Sequence, residues 1–219
     1  MTFLQHNHVS LRQLSHKMLA FLVSVLLVFV LAAPFAPATT ALAENTSSNK
    51  TSVTDEPKLT EATTAIVTDA QGNVLWSKNP DQELPMASIT KVMTAIVALD
   101  SGVNLDEPCK ITVPDLEEGS QVAGLTSDDT PTLRQLIMMM LVYSANDAAY
   151  NIAINVSGSQ QAFVDQMNKK AAEIGMTHTQ FQNPHGLDAN GHYSTARDLA
   201  LMGRYAREHY PLIASAVHT

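Results

Sequence analysis

The sequence has little of what disulfide-stabilised, zinc-binding and nucleic-acid-binding proteins require. Its 219 residues include a single cysteine, Cys109, which excludes an intramolecular disulfide and a zinc site built from several cysteines. Aromatic residues make up 5% of the chain and the formal net charge is −8, so a basic surface for nucleic acid is not expected. What remains is a chain with 45% hydrophobic residues that is long enough to bury one core.

Residues 1–43 lack acidic side chains altogether and differ from the rest of the chain. A basic start that contains Arg12 and Lys17 precedes an uninterrupted apolar run at residues 18–33. This run is shorter than the roughly 20 residues that a membrane-spanning helix needs, and small residues then lead up to Ala43. The pattern predicts a secretory signal peptide that is cleaved after Ala43, with an uncleaved N-terminal anchor as the alternative. In both cases we expect an exported, extracytoplasmic bacterial protein on the cell-wall side of the membrane.

The remainder of the chain divides into a tether and a folded domain. Residues 44–60 are polar and rich in Ser and Thr, which predicts a flexible tether before a domain over residues 61–219. Turn residues and hydrophobic periodicity then predict the following elements: a hairpin over 65–76, short strands around 111–113, and helices over 87–99, 130–142, 147–156, 159–174 and 195–209. The helix over 130–142 is expected to have a proline at its first position.

The helix predicted over 87–99 carries two side chains of chemical interest. Beyond its first turn it is apolar on nearly every side, so we expect it to be buried. Ser88 and Lys91 lie three residues apart, which places both side chains on one face. The helix N-terminus and desolvation both disfavour the charged form of Lys91. A neutral amine beside a hydroxyl is a base beside a nucleophile, and free N–H groups of the same turn could stabilise an oxyanion.

These short patterns also have ordinary structural interpretations. A second Ser-x-x-Lys lies in the tether, and Ser-x-Asn occurs three times, including at Ser144 and Asn146 between two predicted helices. Ser88 could simply cap its helix while Lys91 reaches solvent, and the Ser144 segment could cap the helix that follows it.

Two histidines and the cysteine also have alternative interpretations. His185 and His192 are either metal ligands or ordinary members of a loop rich in Asn-Pro and Asn-Gly turns. Cys109 follows a proline in a predicted loop, where a free thiol without a catalytic role is expected, since no His–Asn context for a catalytic cysteine is evident.

Three longer segments occur in a specific order along the chain. They read Pro-Met-Ala-Ser-Ile-Thr-Lys at 85–91, Tyr-Ser-Ala-Asn-Asp-Ala-Ala at 143–149 and FQNPHGLDANGHYSTARDLA at 181–200. Together they resemble the serine-type D-alanyl-D-alanine carboxypeptidases, the low-molecular-mass penicillin-binding proteins of bacterial cell walls. The resemblance runs from about residue 63 to the end. It implies an α/β (α+β) domain of the serine β-lactamase/transpeptidase-like fold, with the N-terminal hairpin and the helical subdomain present and the C-terminal sheet strands missing.

The resemblance also implies a role for each matching residue. Ser88 is the acylated nucleophile, Lys91 is its general base, Ser144 relays a proton to the leaving amine, and Asn146 orients Lys91 and the substrate amide. The implied reaction removes the terminal D-alanine from peptidoglycan stem peptides that end in D-Ala-D-Ala, and β-lactam antibiotics are the implied inhibitors. No cofactor, metal or nucleic acid is implied, and peripheral membrane association is left open.

The sequence departs from the family pattern in one respect. The family's third element, Lys-Thr-Gly on a strand that lines the site, is absent: Lys50-Thr51 is followed by Ser52, and His218-Thr219 ends the chain. In the family this element lies downstream of the region that corresponds to residues 205–211. We therefore expect residues 61–219 to be the front part of a longer catalytic domain, and the chain alone to fold poorly and to have little activity.

Two other functions compete with this interpretation. A class A-like β-lactamase shares the fold, but the middle motif here is Ser-Ala-Asn rather than Ser-Asp-Asn, and no Glu-x-x-Leu-Asn segment is present. A non-catalytic penicillin- or peptidoglycan-binding module is favoured by the absent third element. Labelling with a penicillin distinguishes the three, since a stable adduct, rapid turnover and no adduct correspond to the carboxypeptidase, the lactamase and the binding module.

Overall fold

The computed structural model describes residues 60–218, so the predicted signal peptide over 1–43 and nearly all of the predicted tether over 44–60 lie outside the described residues. Within this range a 3₁₀ turn at Ala87–Ile89 leads into the first helix. The strands and helices are β1 (Ala65–Thr68), β2 (Val74–Lys78), α1 (Thr90–Asp100), α2 (Leu133–Tyr143), α3 (Asn146–Ser157), α4 (Gln160–Ile174), α5 (Ala196–His209) and α6 (Pro211–Ala216). None of these helices has the length and apolar character needed to cross a bilayer.

The predicted hairpin is confirmed. Strands β1 and β2 pair antiparallel, with Val67 opposite Trp76. The turn is fixed by Asp69, whose carboxylate accepts the backbone N–H groups of Gln71 at 2.9 Å and Asn73 at 2.8 Å. This Asx-type turn explains why polar residues between two β-rich runs make a hairpin. The sheet formed by residues 60–218 consists of these two strands.

Helix α1 is the centre of the helical core. It contacts α2, α3, α4 and α5, and its residues from Met93 to Ala98 are buried. The prediction of a buried helix is therefore confirmed, with one correction at its start. Ser88 lies in the 3₁₀ turn before the α-helix rather than in the first α-helical turn. The N-terminal end of α1 is thus held by the whole core, while the preceding turn reaches the surface.

The short strands predicted around 111–113 are wrong, since this segment forms no strand. Helix side chains take the place of a partner strand. The Asn151 amide accepts the N–H of Thr112 at 2.8 Å and donates to its carbonyl oxygen at 3.0 Å. The Asn155 amide does the same for Lys110, at 3.0 and 2.9 Å. The β-like composition produced an extended segment, but α3 satisfies its backbone groups through side chains.

Two helix boundaries also differ from the prediction because of proline. The helix expected to begin at Pro131 begins at Leu133, and Thr132 caps it in a reciprocal capping box with Gln135. Pro131 instead accepts a hydrogen bond from the N–H of Cys109 at 2.8 Å. A further helix, α6, follows the last predicted one over 195–209 and begins at Pro211, where the missing N–H of the proline costs nothing.

The other helix predictions are confirmed to within a residue or two. Ser159 and Thr195 accept backbone N–H groups at the starts of α4 and α5, as their positions before apolar periodic segments predict. Gly158 and Gly175 end α3 and α4 in the left-handed conformation.

The side-chain ladder on α3 predicts unequal effects of two matched substitutions. Asn151 is fully buried, and in Asn151→Ala the N–H and carbonyl groups of Thr112 lose their partners at a part-buried position. We therefore expect a loss of about 2–3 kcal/mol in the free energy of unfolding. Asn155→Ala acts at exposed groups that water can satisfy, so its loss should be about 1 kcal/mol or less. Urea denaturation followed by circular dichroism measures both, and equal losses would contradict the interpretation.

Candidate active site

Ser88 is exposed, and a strained turn presents it. The preceding residue, Ala87, has φ = +47°, which is uncommon for a residue with a side chain. Gly186 lies directly against it, since a Cβ built at Gly186 would overlap the carbonyl oxygen of Ala87. With φ = +89°, Gly186 is also in a conformation that glycine adopts readily. The turn that carries Ser88 therefore rests on the loop that contains Gly186.

Lys91 lies one helical turn further on and points back to the hydroxyl group. Only 2% of the residue is exposed. Its Nζ donates to Ser88 Oγ at 3.0 Å and to the carbonyl oxygen of His185 at 2.5 Å. Burial lowers the pKa of Lys91 to about 8. The alternative in which Lys91 reaches solvent is therefore wrong, and the amine is poised to exchange a proton near neutral pH.

Ser144 approaches the same hydroxyl from another part of the chain. It lies between α2 and α3 in the left-handed conformation, with φ = +60°. Its Oγ donates to Ser88 Oγ at 3.0 Å. The alternative in which this segment caps the following helix is wrong, because α3 starts at Asn146 after Ala145 and has no side-chain cap. Ser88 Oγ thus has an amine on one side and a hydroxyl on the other.

Asn146 lies two residues after Ser144, at the start of α3. It is 5% exposed, and its backbone N–H donates to the carbonyl oxygen of Gln121 at 2.8 Å. No hydrogen bond joins its side chain to Lys91 in residues 60–218. Its role in orienting Lys91 and the substrate amide therefore stays a prediction.

Asp147, the next residue, is an anchor that the sequence analysis missed. Its buried carboxylate accepts the backbone N–H groups of Ala123, Gly124 and Leu125 at 2.8, 2.9 and 3.0 Å. These bonds, together with the contact between Asn146 and Gln121, hold the loop before α2 against the start of α3. An Asp in the first turn of a helix is so common that its position alone gives no signal of this role.

The two histidines are buried in the loop that packs against α1. His185 is 8% exposed and His192 is 4% exposed. Burial, with a smaller effect from Lys91, lowers the pKa of His185 to about 4, and burial also lowers the pKa of His192. No group of three or more His, Cys, Asp or Glu side chains with metal-binding geometry occurs in residues 60–218. What His185 supplies to the site is its carbonyl oxygen, a backbone group that no side-chain motif reveals.

Comparison with known proteins gives the family. The model of the D-alanyl-D-alanine carboxypeptidase family matches residues 38–217, which is most of the chain. This chain belongs to that family. The resemblance carried by the three sequence segments is thereby confirmed.

Individual relatives of this carboxypeptidase-family chain support the family assignment. It is 33% identical over 187 residues to the D-alanyl-D-alanine carboxypeptidase DacF of Bacillus subtilis, covering 84% of this chain and 46% of the relative. It is 41% identical over 155 residues to a D-alanyl-D-alanine endopeptidase of Pseudomonas aeruginosa, covering 68% and 48%. The chain thus spans about half the length of the curated relatives it matches.

Solved structures of the family show the same fold. Penicillin-binding protein D2 from Listeria monocytogenes, in its cefotaxime-bound form, matches with a TM-score of 0.68 and 29% identity, covering 75% of this chain and 69% of that one. The mixed helix-and-sheet fold of residues 60–218 is therefore that of the penicillin-binding, transpeptidase-like proteins, as expected.

The buried environment of Lys91 predicts an unusual titration. Because burial lowers its pKa, the amine should be charged below about pH 8 and neutral above it. Lys170 is the internal reference, since its ion pairs with Asp100 and Glu173 raise its pKa above the usual lysine value. NMR titration of lysine side chains labelled with ¹³C at Cε, with Lys91→Arg for assignment, should give one midpoint near pH 8 that disappears in the variant. A Lys91 midpoint at or above about 10.4 would contradict the prediction.

Proposed function

We propose that this chain carries the serine acyl-transfer site of an exported D-Ala-D-Ala carboxypeptidase, with Ser88 as the nucleophile. The observation that carries the proposal is the convergence of Lys91 Nζ and Ser144 Oγ on Ser88 Oγ, each at 3.0 Å. An amine of lowered pKa beside a hydroxyl is the arrangement that activates a serine. Membership of the carboxypeptidase family supports the same assignment.

The first step of the proposed reaction forms an ester. The Ser88 oxygen attacks the carbonyl carbon of the penultimate D-alanine while neutral Lys91 takes the hydroxyl proton. Backbone N–H groups of the 3₁₀ turn are available to stabilise the negative oxygen that develops on the substrate. Collapse of this intermediate breaks the C–N bond. Ser144 donates its proton to the departing amine and regains one from protonated Lys91, so the terminal D-alanine leaves as a neutral amine and Lys91 is neutral again.

The second step returns the enzyme to its starting state. Water attacks the ester carbon while Lys91 accepts a proton from that water, and the Ser88 oxygen then leaves as Lys91 returns this proton to it, which releases the shortened peptide as its carboxylic acid. In this scheme Asn146 holds the substrate amide. No cofactor or metal enters the proposed steps.

Substrate, inhibitors and location follow from the same proposal. The substrate is a peptidoglycan stem peptide that ends in D-Ala-D-Ala, and β-lactams acylate Ser88 in its place. The cefotaxime-bound relative from Listeria monocytogenes supports the choice of inhibitor class. The basic start, apolar run and small residues of positions 1–43 support export with cleavage after Ala43.

A second candidate activity is cleavage of a cross-linked peptide instead of a free one. The relative from Pseudomonas aeruginosa, which is 41% identical, is an endopeptidase. The chemistry at Ser88 is the same for both substrates, because each has an amide bond on the carboxyl side of a D-alanine. Mass spectrometry of products from a linear pentapeptide and from a cross-linked dimer discriminates between the two activities.

Labelling with a fluorescent penicillin tests the proposal. The folded fraction of the full chain, even if its turnover is slow, should form a covalent adduct that mass spectrometry places on the peptide containing Ser88. Ser88→Ala should abolish the adduct, and Lys91→Met should slow its formation by about 100-fold or more, since it removes the general base. The rate should rise through pH 8, as the Lys91 amine loses its proton.

Ser127→Ala is the matched control. Ser127 is an exposed serine in a turn, so its substitution should leave the labelling unchanged. An adduct that survives in Ser88→Ala, or no adduct on a folded chain, would refute the proposed chemistry, and the second result would favour the non-catalytic binding module. Rapid loss of the adduct would favour the β-lactamase.

A further inference from the structure

His192 bridges the loop before α5 and the first residue of α1. The backbone N–H of Gln182 donates to its Nδ1 at 3.0 Å, and its Nε2 lies 2.8 Å from Thr90 Oγ1. Because a backbone N–H can only donate, Nδ1 must be the unprotonated ring nitrogen. The ring proton of the neutral imidazole is therefore on Nε2, which donates it to Thr90. The geometry fixes both the tautomer and the orientation of the ring.

Thr90 is the immediate neighbour of Lys91, and two more side chains of α1 reach the same loop. Lys91 Nζ donates to the carbonyl oxygen of His185 at 2.5 Å, and Thr94 Oγ1 donates to that of Pro184 at 2.6 Å. Thr90, Lys91 and Thr94 are all buried, with at most 2% of each residue exposed. The loop is thus fastened to one face of α1 at three points, and the imidazole supplies one of them.

This attachment sets the environment of the Lys91 amine. The loop supplies the carbonyl oxygen that accepts a hydrogen bond from the Lys91 amine, and this contact lies in a buried part of the site. If the loop moved away from α1, water would reach Nζ and the desolvation that lowers its pKa would diminish. The same loop supports the turn before Ser88 through Gly186, so its displacement would also misplace the hydroxyl.

We propose that His192 is a positioning residue for Lys91, which it holds in place by locking the 182–186 loop against the start of α1. The inference rests on the proposed role of Lys91 as the base. His192 touches neither Ser88 nor Lys91 through any hydrogen bond in residues 60–218, and it acts through Thr90 and Gln182. Burial lowers the pKa of the His192 imidazole and the charge of Asp188 opposes this shift, while Lys91 and His192 add to the lowering of the His185 pKa by burial.

The test compares His192→Ala with the conservative His192→Gln in the full chain. In His192→Ala the Lys91 midpoint, measured by NMR on ¹³C-labelled lysine, should rise by about one pH unit toward the usual lysine value. The rate of penicillin labelling at pH 8 should fall about fivefold from the smaller neutral fraction alone. His192→Gln retains an N–H donor for Thr90 and should restore most of both quantities. His178→Ala, an exposed histidine elsewhere on the surface, should change neither.

Thr90→Val provides a second route if His192→Ala does not fold. It removes the acceptor while keeping the shape of the side chain, and it should raise the Lys91 midpoint as His192→Ala does. A folded variant of either kind with an unchanged Lys91 midpoint would overturn the inference. If the parent chain forms no penicillin adduct, the proposed function fails, but the Lys91 titration still decides whether His192 positions the amine.

Discussion

The candidate site depends on the burial of the Lys91 amine, which has no carboxylate partner among residues 60–218. Both of its hydrogen-bond acceptors, Ser88 Oγ and the His185 carbonyl oxygen, are neutral. Lys170 in the same molecule shows the opposite case, because Asp100 and Glu173 surround it and raise its pKa. A carboxylate next to Lys91 would likewise hold the proton on the amine and abolish its use as a base. Neutral acceptors orient the amine and leave the proton free to move.

Holding such a group requires structure from three separate parts of the chain. The core helix α1 carries Lys91, the junction between α2 and α3 carries Ser144, and the loop before α5 supplies the carbonyl acceptor. Ala87, which precedes the nucleophile in sequence, and Ser144, which hydrogen-bonds to it from another part of the chain, both adopt positive φ. Such conformations cost about 1 kcal/mol or more each and persist only where surrounding packing enforces them. The packed helices of this domain provide that enforcement.

The elements that could be predicted from sequence are those with local causes. The hairpin has its Asx turn, and α4 and α5 have their capping residues, so their boundaries are confirmed nearly to the residue. The predictions failed where a distant partner decided the outcome. Residues 110 and 112 pair with side chains of α3 instead of a strand, and Pro131 pairs with Cys109 instead of starting a helix. Within the site, the side chains of Ser88, Lys91 and Ser144 could be found from spacing and resemblance. The His185 carbonyl and the Asp147 anchor could not, because neither a backbone oxygen nor a first-turn carboxylate has a distinctive sequence pattern.

The hydrogen bonds that Asn151 and Asn155 of α3 make with the 110–112 segment also limit where this chain can tolerate changes in length. Four residues along a helix advance about 6.0 Å, and two residues along an extended segment advance about 6.6 Å, so Asn151 and Asn155 stay in step with Thr112 and Lys110. A single inserted or deleted residue between 110 and 112, or between 151 and 155, would end that match at once. Residues 113–119 make no such hydrogen bonds to α3 side chains in the described part of the chain. Insertions that distinguish one homologue from another are therefore expected there, beside the loop that Asp147 anchors.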